Sequence, residues 1–169
     1  MERFTKVRGN EIQLEGPELK VGDAAPDFKL HSRGPDGFFD VKLADFKDKT
    51  LILSVVLSLD TGVCSAQTKH FNEEAGKLPE DVEVLTVSAD LPYAQARYCA
   101  AEHVDKLKTA SDHRDVSFGK SYGVLMSPLR VLSRAAFVVG KDGKIKHAQY
   151  VEEATSEPDY DAILAAAKE

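Results

Sequence analysis

Residues 51–64 read Leu51-Ile52-Leu53-Ser54-Val55-Val56-Leu57-Ser58-Leu59-Asp60-Thr61-Gly62-Val63-Cys64. From Leu51 to Leu57 the chain is nearly continuously apolar and β-branched at its centre, the pattern of a central strand covered on both faces. A polar loop, Ser58 to Gly62, follows. Val63 to Leu78 can then form a helix, with Val63, Ala66, His70, Phe71 and Leu78 giving an imperfect apolar face. The next strand is Val82 to Ser88. Asp90-Leu91-Pro92 opens a second helix running to about Ala101, because Pro is tolerated in the first helical turn.

Outward from this unit the pattern changes. Arg134 to Val139 and Lys144 to Val151 flank Gly140-Lys141-Asp142-Gly143, a hairpin signal centred on Asp-Gly. Asp159 to Lys168 reads as a terminal helix. Phe28 to His31 and Phe38 to Val41 read as strands around the turn-forming stretch Ser32 to Gly37. Residues 3–14 read as a small N-terminal β-hairpin turning at Gly9-Asn10. Together these predict one α/β domain over residues 1–169, with a mixed central sheet flanked by helices. Right-handed crossovers put both early helix starts at the carboxyl edge of the sheet, where α/β sites usually lie.

The chain has 22 Lys+Arg against 28 Asp+Glu, a net charge of −6. This balance argues against a nucleic-acid or anionic-membrane partner, which would need clustered cations. The apolar run Leu51 to Leu59 is far shorter than the ~20 residues of a membrane span. Residues 1–8 are charged and lead into no apolar signal core, so the chain reads as cytoplasmic. No G-x-x-x-x-G-K-[ST] or G-x-G-x-x-G run occurs, and the five histidines are scattered; no cofactor or metal is expected.

Two cysteines remain to be explained. Cys64 falls in the first turn of its helix, where unpaired backbone N–H groups and the positive end of the dipole favour an anion. The thiolate is the nucleophilic form of cysteine. Thr61 offers a hydroxyl at the same helix start, or serves as an ordinary N-cap. Cys99, between Tyr98 and Ala100, reads by itself as a core residue.

Ser58-Leu59-Asp60-Thr61-Gly62-Val63-Cys64 resembles the peroxidatic loop of the bacterial thiol peroxidases, a branch of the peroxiredoxins. The resemblance continues in Val21-Gly22-Asp23-Ala24-Ala25-Pro26-Asp27-Phe28 and in Ser88-Ala89-Asp90-Leu91-Pro92-Tyr93-Ala94-Gln95-Ala96-Arg97-Tyr98-Cys99. It recurs in Arg134-Ala135-Ala136-Phe137-Val138-Val139 and Glu157-Pro158-Asp159-Tyr160, and so spans nearly the whole chain in order. It implies a thioredoxin-like fold, reduction of hydrogen peroxide and organic hydroperoxides, a homodimer, and thioredoxin as reductant. It also implies that Cys64 becomes a sulfenic acid which Cys99 resolves as an intrachain disulfide, with Arg134 as the guanidinium beside Cys64. Read alone, Arg134 is a solvated charge; Arg130 is the alternative.

One departure stands out. Peroxiredoxins typically carry Pro seven residues before the reactive cysteine, and this chain has Leu57, which keeps apolar shielding but restores an N–H and frees the backbone. A non-enzymatic redox switch or chaperone using the same disulfide is the competing reading. A disulfide oxidoreductase is disfavoured, since no C-x-x-C is present.

The spacing carries a further expectation. Cys99 lies roughly 10 Å along its helix from Pro92, and packed helix axes lie about 8–10 Å apart. A disulfide needs Cα atoms closer than about 7 Å. One or both helix ends should therefore unwind between the reduced and oxidised forms.

Overall fold

The computed structural model describes residues 2–169. In chain order it contains β1 (Arg3–Val7), β2 (Asn10–Glu15), β3 (Lys29–Gly34), β4 (Gly37–Lys42), β5 (Thr50–Val55), α1 (Gly62–Ala75), β6 (Val82–Ser88), α2 (Pro92–Ala101), β7 (Lys108–Ser111), α3 (Ser117–Ser121), β8 (Leu125–Met126), β9 (Val131–Leu132), β10 (Ala135–Val139), β11 (Ile145–Tyr150) and α4 (Tyr160–Lys168). Among the described residues, no helix is long and apolar enough to cross a membrane.

The main sheet has the strand order β11-β10-β5-β6-β7-β3-β4. β5, β6 and β7 run parallel, while β10 joins β5 antiparallel and β3 joins β7 antiparallel. Every residue of β5 is buried, as its unbroken apolar run requires. One core cluster, with Leu53, Phe118, Tyr122 and Phe137, lies on one face; the other, with Ile52, Phe71, Val138 and Ile163, receives α1, α2 and α4.

Several boundaries differ from the sequence reading, among them the end of β5, which stops at Val55 rather than Leu57. The first hairpin turns at Arg8-Gly9 rather than Gly9-Asn10: Val7 pairs with Asn10, and Arg8 (φ 52°) and Gly9 (φ 79°) make the left-handed pair that a two-residue loop demands. β3 and β4 extend to Gly34 and Gly37, leaving only a two-residue connection. α1 stops at Ala75 rather than Leu78, because Gly76 ends the ladder and Lys77 N and Leu78 N bond three residues back, to Glu74 O and Ala75 O.

The N-terminal hairpin does not join the main sheet. It forms a second sheet, β1-β2-β8-β9, and is tied to residues 151–154 by Lys6 N–H to Glu152 O and Ala154 N–H to Lys6 O, both 2.8 Å. The acidic stretch 152–161 divides accordingly. Asp159 caps α4 by accepting from Ala162 N (3.1 Å), whereas Glu153 accepts Gly9 N–H (2.7 Å) and so holds the hairpin. That amide bond keeps the Glu153 carboxyl below its usual range.

Candidate active site

β5 delivers the chain to the carboxyl edge of the sheet at Val55, and the connection to α1 leaves Cys64 as the third helical residue. β10 runs back along β5 with Ala135 opposite Val55, so Arg134, one residue before β10, arrives at the same edge. The register, rather than any nearness in sequence, brings Arg134 to Cys64.

The connection itself is fixed from β6. Asp90 accepts from Ser58 Oγ (2.7 Å), Leu59 N (2.8 Å) and Ser88 Oγ (2.7 Å). Gln95 Nε2 extends the network by donating to Ser88 Oγ (3.0 Å) and Ala110 O (2.8 Å). One carboxylate thus joins the segment before Cys64 to the start of α2, which carries Cys99.

Cys64 is fully buried under Val56 and Leu59, with Leu57 and Tyr98 packed against that cluster. Arg134 is 2% exposed, and each of its three guanidinium nitrogens has a hydrogen-bond partner. Nη2 donates to Cys64 Sγ at 3.2 Å, Nη1 to Gln67 Oε1 at 2.8 Å and Nε to Ala154 O at 2.9 Å. Gln67 Nε2 in turn donates to Ser54 Oγ at 2.8 Å. No ion pair among the described residues involves Arg134. A buried cation without a carboxylate is costly. Of its three partners, only the sulfur can carry a full negative charge, so the guanidinium is the group placed to pair with an anion at that position.

The backbone adds to this. The first amide of α1 to find a helical acceptor is Ser65 N, which bonds Thr61 O at 2.9 Å. The amides of Gly62, Val63 and Cys64 precede it and stay free for an anion. Thr68 Oγ1 donates to Cys64 O (2.8 Å) and holds the turn closed.

A cleft of about 520 Å³ opens beside the guanidinium, lined by Val7, Leu57, Thr61, Val63, Arg134 and Ala154 among others. It is mostly apolar, and the N-terminal hairpin forms one wall. Thr61 occupies the N-cap position, but its oxygen caps no amide; its hydroxyl donates to Ser58 O at 3.0 Å. Arg130 points elsewhere, donating to His113 O (2.7 Å) and Arg114 O.

Cys99 lies near the end of α2, partly buried, and packs against the cluster of Ile52, Phe71 and Ile163 rather than the one around Cys64. Burial pushes its thiol up from the usual value, and a hydrogen bond to Thr109 opposes that only in part. Both cysteines are free thiols. The geometry therefore unites Cys64, Arg134 and, at the cleft mouth, Thr61, and leaves Cys99 in separate packing. Sequence reasoning missed Gln67, Ser54 and Asp90. The available signals were a glutamine one turn after Cys64 and a serine interrupting an otherwise apolar strand.

The Redoxin family model matches residues 20–164. The chain is 52% identical over 161 residues to a thiol peroxidase of Bacillus subtilis, covering 95% of this chain and 94% of that protein. It is 51% identical over 161 residues to a thiol peroxidase of Halalkalibacterium halodurans, covering 95% of each. Among solved structures, a peroxiredoxin-like protein from Aquifex aeolicus superposes with a TM-score of 0.87 at 38% identity, over 97% of this chain and 95% of that one. A thiol peroxidase from Chromobacterium violaceum shares the fold with a TM-score of 0.83 at 19% identity, over 96% and 93% of the two chains. With identity above one half along almost its full length and the same thioredoxin-like frame beneath it, this chain belongs to the bacterial thiol peroxidases, within the peroxiredoxins.

Proposed function

We propose that the protein reduces hydrogen peroxide and organic hydroperoxides with Cys64 as nucleophile. The observation that carries this reading is the buried Arg134 guanidinium, 3.2 Å from Cys64 Sγ and paired with no carboxylate among the described residues. The Cys64 thiolate attacks one peroxide oxygen; an S–O bond forms and the O–O bond breaks. Sulfur is oxidised to the sulfenic acid, and the leaving oxygen takes a proton and departs as water or an alcohol. Negative charge moves from sulfur to that oxygen, so donors aimed into the cleft stabilise the transition state. Arg134 Nη2 and the free amides at the start of α1 are placed for this. Thr61 joins them once its hydroxyl leaves Ser58 O. The apolar walls of the cleft favour substrates with an alkyl or aryl group.

Cys99 then attacks the sulfenic sulfur. Its own proton is lost, an S–S bond forms, and the sulfenic oxygen leaves as water. A dithiol reductant of the thioredoxin class, acting in the cytoplasm, exchanges with that disulfide and restores both thiols. The exposed Phe38–Tyr93 pair, ring centroids 5.2 Å apart, and the exposed Leu91 beside it offer an apolar face for a second copy in a homodimer.

Steady-state turnover tests the reading, using thioredoxin and its reductase with hydrogen peroxide or cumene hydroperoxide. Wild type should turn over both peroxides. Cys64→Ser should be inactive, and Cys99→Ser should consume one equivalent and stop. Turnover by Cys64→Ser would refute the assigned nucleophile, and stoichiometric oxidation of wild type without turnover would favour a redox switch.

A further inference from the structure

Tyr98 stands between the two cysteines. Its ring packs against the Val56–Leu59–Cys64 cluster and also against the separate cluster that receives Cys99. Its hydroxyl lies 2.7 Å from Ser65 Oγ and 3.3 Å from Ser65 O. Ser65 follows Cys64 and Tyr98 precedes Cys99, so a single contact joins the immediate neighbours of both sulfurs. About one turn further along each helix, Lys69 and Glu102 form an ion pair at 2.8 Å. Burial pushes the Tyr98 phenol up from its usual value.

Cys64 sits in an intact first turn, and Cys99 in a helix that is intact to Ala101. A disulfide brings Cα atoms within about 7 Å, and the Tyr98 ring occupies the intervening packing. Resting on the assignment of Cys64 as attacker and Cys99 as resolver, we propose that the Tyr98–Ser65 contact is a clasp. It must open before Cys99 can reach Cys64, and it sets how the sulfenic acid divides between disulfide and further oxidation. In the competing path the sulfenate attacks a second peroxide; a second S–O bond forms, the O–O bond breaks, and sulfinic acid and an alcohol or water result. Tyr98 is a positioning residue, since it acts by holding α1 against α2.

One neutral hydrogen bond corresponds to roughly threefold to tenfold in an opening equilibrium. Tyr98→Phe keeps the ring and removes the hydroxyl, and Ser65→Ala removes one partner of the same contact. Reduced proteins are mixed with increasing hydrogen peroxide in the absence of reductant, quenched in acid, alkylated, and analysed by mass spectrometry for the Cys64–Cys99 disulfide and for Cys64 sulfinic acid. Each single variant should form the disulfide about threefold to tenfold faster and need correspondingly more peroxide for half conversion to sulfinic acid. The double variant should gain nothing beyond Tyr98→Phe, which already removes both bonds of the hydroxyl, to Ser65 Oγ and to Ser65 O. Sulfenic acid formation, read in a Cys99→Ser background, should move less than about twofold, which separates a clasp from a general structural defect. Disulfide formation at the wild-type rate or slower in Tyr98→Phe, or multiplied effects in the double variant, would overturn the clasp alone. Absence of any Cys64–Cys99 disulfide in wild type would overturn the assignment beneath it as well.

Discussion

The Arg134 guanidinium meets the Cys64 sulfur at 3.2 Å across 70 positions of sequence, with both residues out of solvent. The arrangement places a desolvated cation against the sulfur, where it can stabilise negative charge in the reaction. The same fork is also held by Gln67 Oε1 and Ala154 O, so its direction is fixed before substrate arrives.

Arg134→Lys should therefore lower the second-order rate constant for hydrogen peroxide by about 10²–10³-fold, the cost of losing one well-aimed transition-state donor. A lysine cannot satisfy three acceptors in one plane. Gln67→Met should lower it about tenfold and destabilise the fold by about 1–3 kcal/mol, since Arg134 Nη1 loses its acceptor and Ser54 Oγ its donor. Stopped-flow oxidation and urea unfolding read the two effects, and an unchanged rate in Arg134→Lys would remove Arg134 from the chemistry.

Asp90→Ala should destabilise the protein by about 2–4 kcal/mol, because three short hydrogen bonds to one carboxylate are lost together. The loop 56–61 would then loosen over the sulfur. Alkylation of native Cys64 by iodoacetamide should speed up, and alkylation at the wild-type rate would show that packing alone shields it.

Leu57 packs against the cluster around Cys64 and lines the cleft, so it supplies the apolar shielding expected of that position. What it lacks is a fixed φ and the absence of an N–H. Leu57→Pro should raise the rate with hydrogen peroxide severalfold by stiffening the cleft wall. An unchanged rate would mean that Leu57 holds the wall equally well.

Asp112 gives a pH signature away from the site. Its carboxyl is buried, accepts N–H from Phe118 (3.1 Å) and Gly119 (2.9 Å), and has its pKa raised from 3.8 to about 6 because desolvation outweighs those bonds; nearby Asp115 also raises it, and Arg130 opposes. The folded protein thus holds this proton more tightly than the unfolded chain does. Its contribution to stability is fully present below about pH 4 and is lost as pH rises through about 6, by about 3 kcal/mol in all. Asp112→Asn stays neutral throughout. The stability of wild type minus that of the variant, from urea midpoints, should fall between pH 4 and 7 and then level; a flat difference would contradict the assignment.

Much of the frame was legible in residues 51–101. β6 and α2 match the segments read as Val82 to Ser88 and Pro92 to about Ala101, because apolar, β-branched strands and Pro-started helices leave strong local marks. β8 and β9, two residues each, leave no periodicity, so the second sheet and the hairpin wall of the cleft were invisible. The polar Lys108-Thr109-Ala110-Ser111 of β7 was equally silent. Cys64 stood out through its helix start. Gln67, Ser54 and Asp90 did not, since their roles arise from strand register and from loops meeting at one edge, which hydropathy does not encode.

Trapping shows whether Cys64 is the sulfur that attacks peroxide. Cys99→Ser protein is mixed with one equivalent of hydrogen peroxide in the presence of dimedone, and the adduct is mapped by peptide mass spectrometry. One adduct per chain is expected on Cys64, formed as peroxide is consumed, and none in Cys64→Ser. An adduct on another residue, or undiminished peroxide consumption by Cys64→Ser, would contradict that assignment.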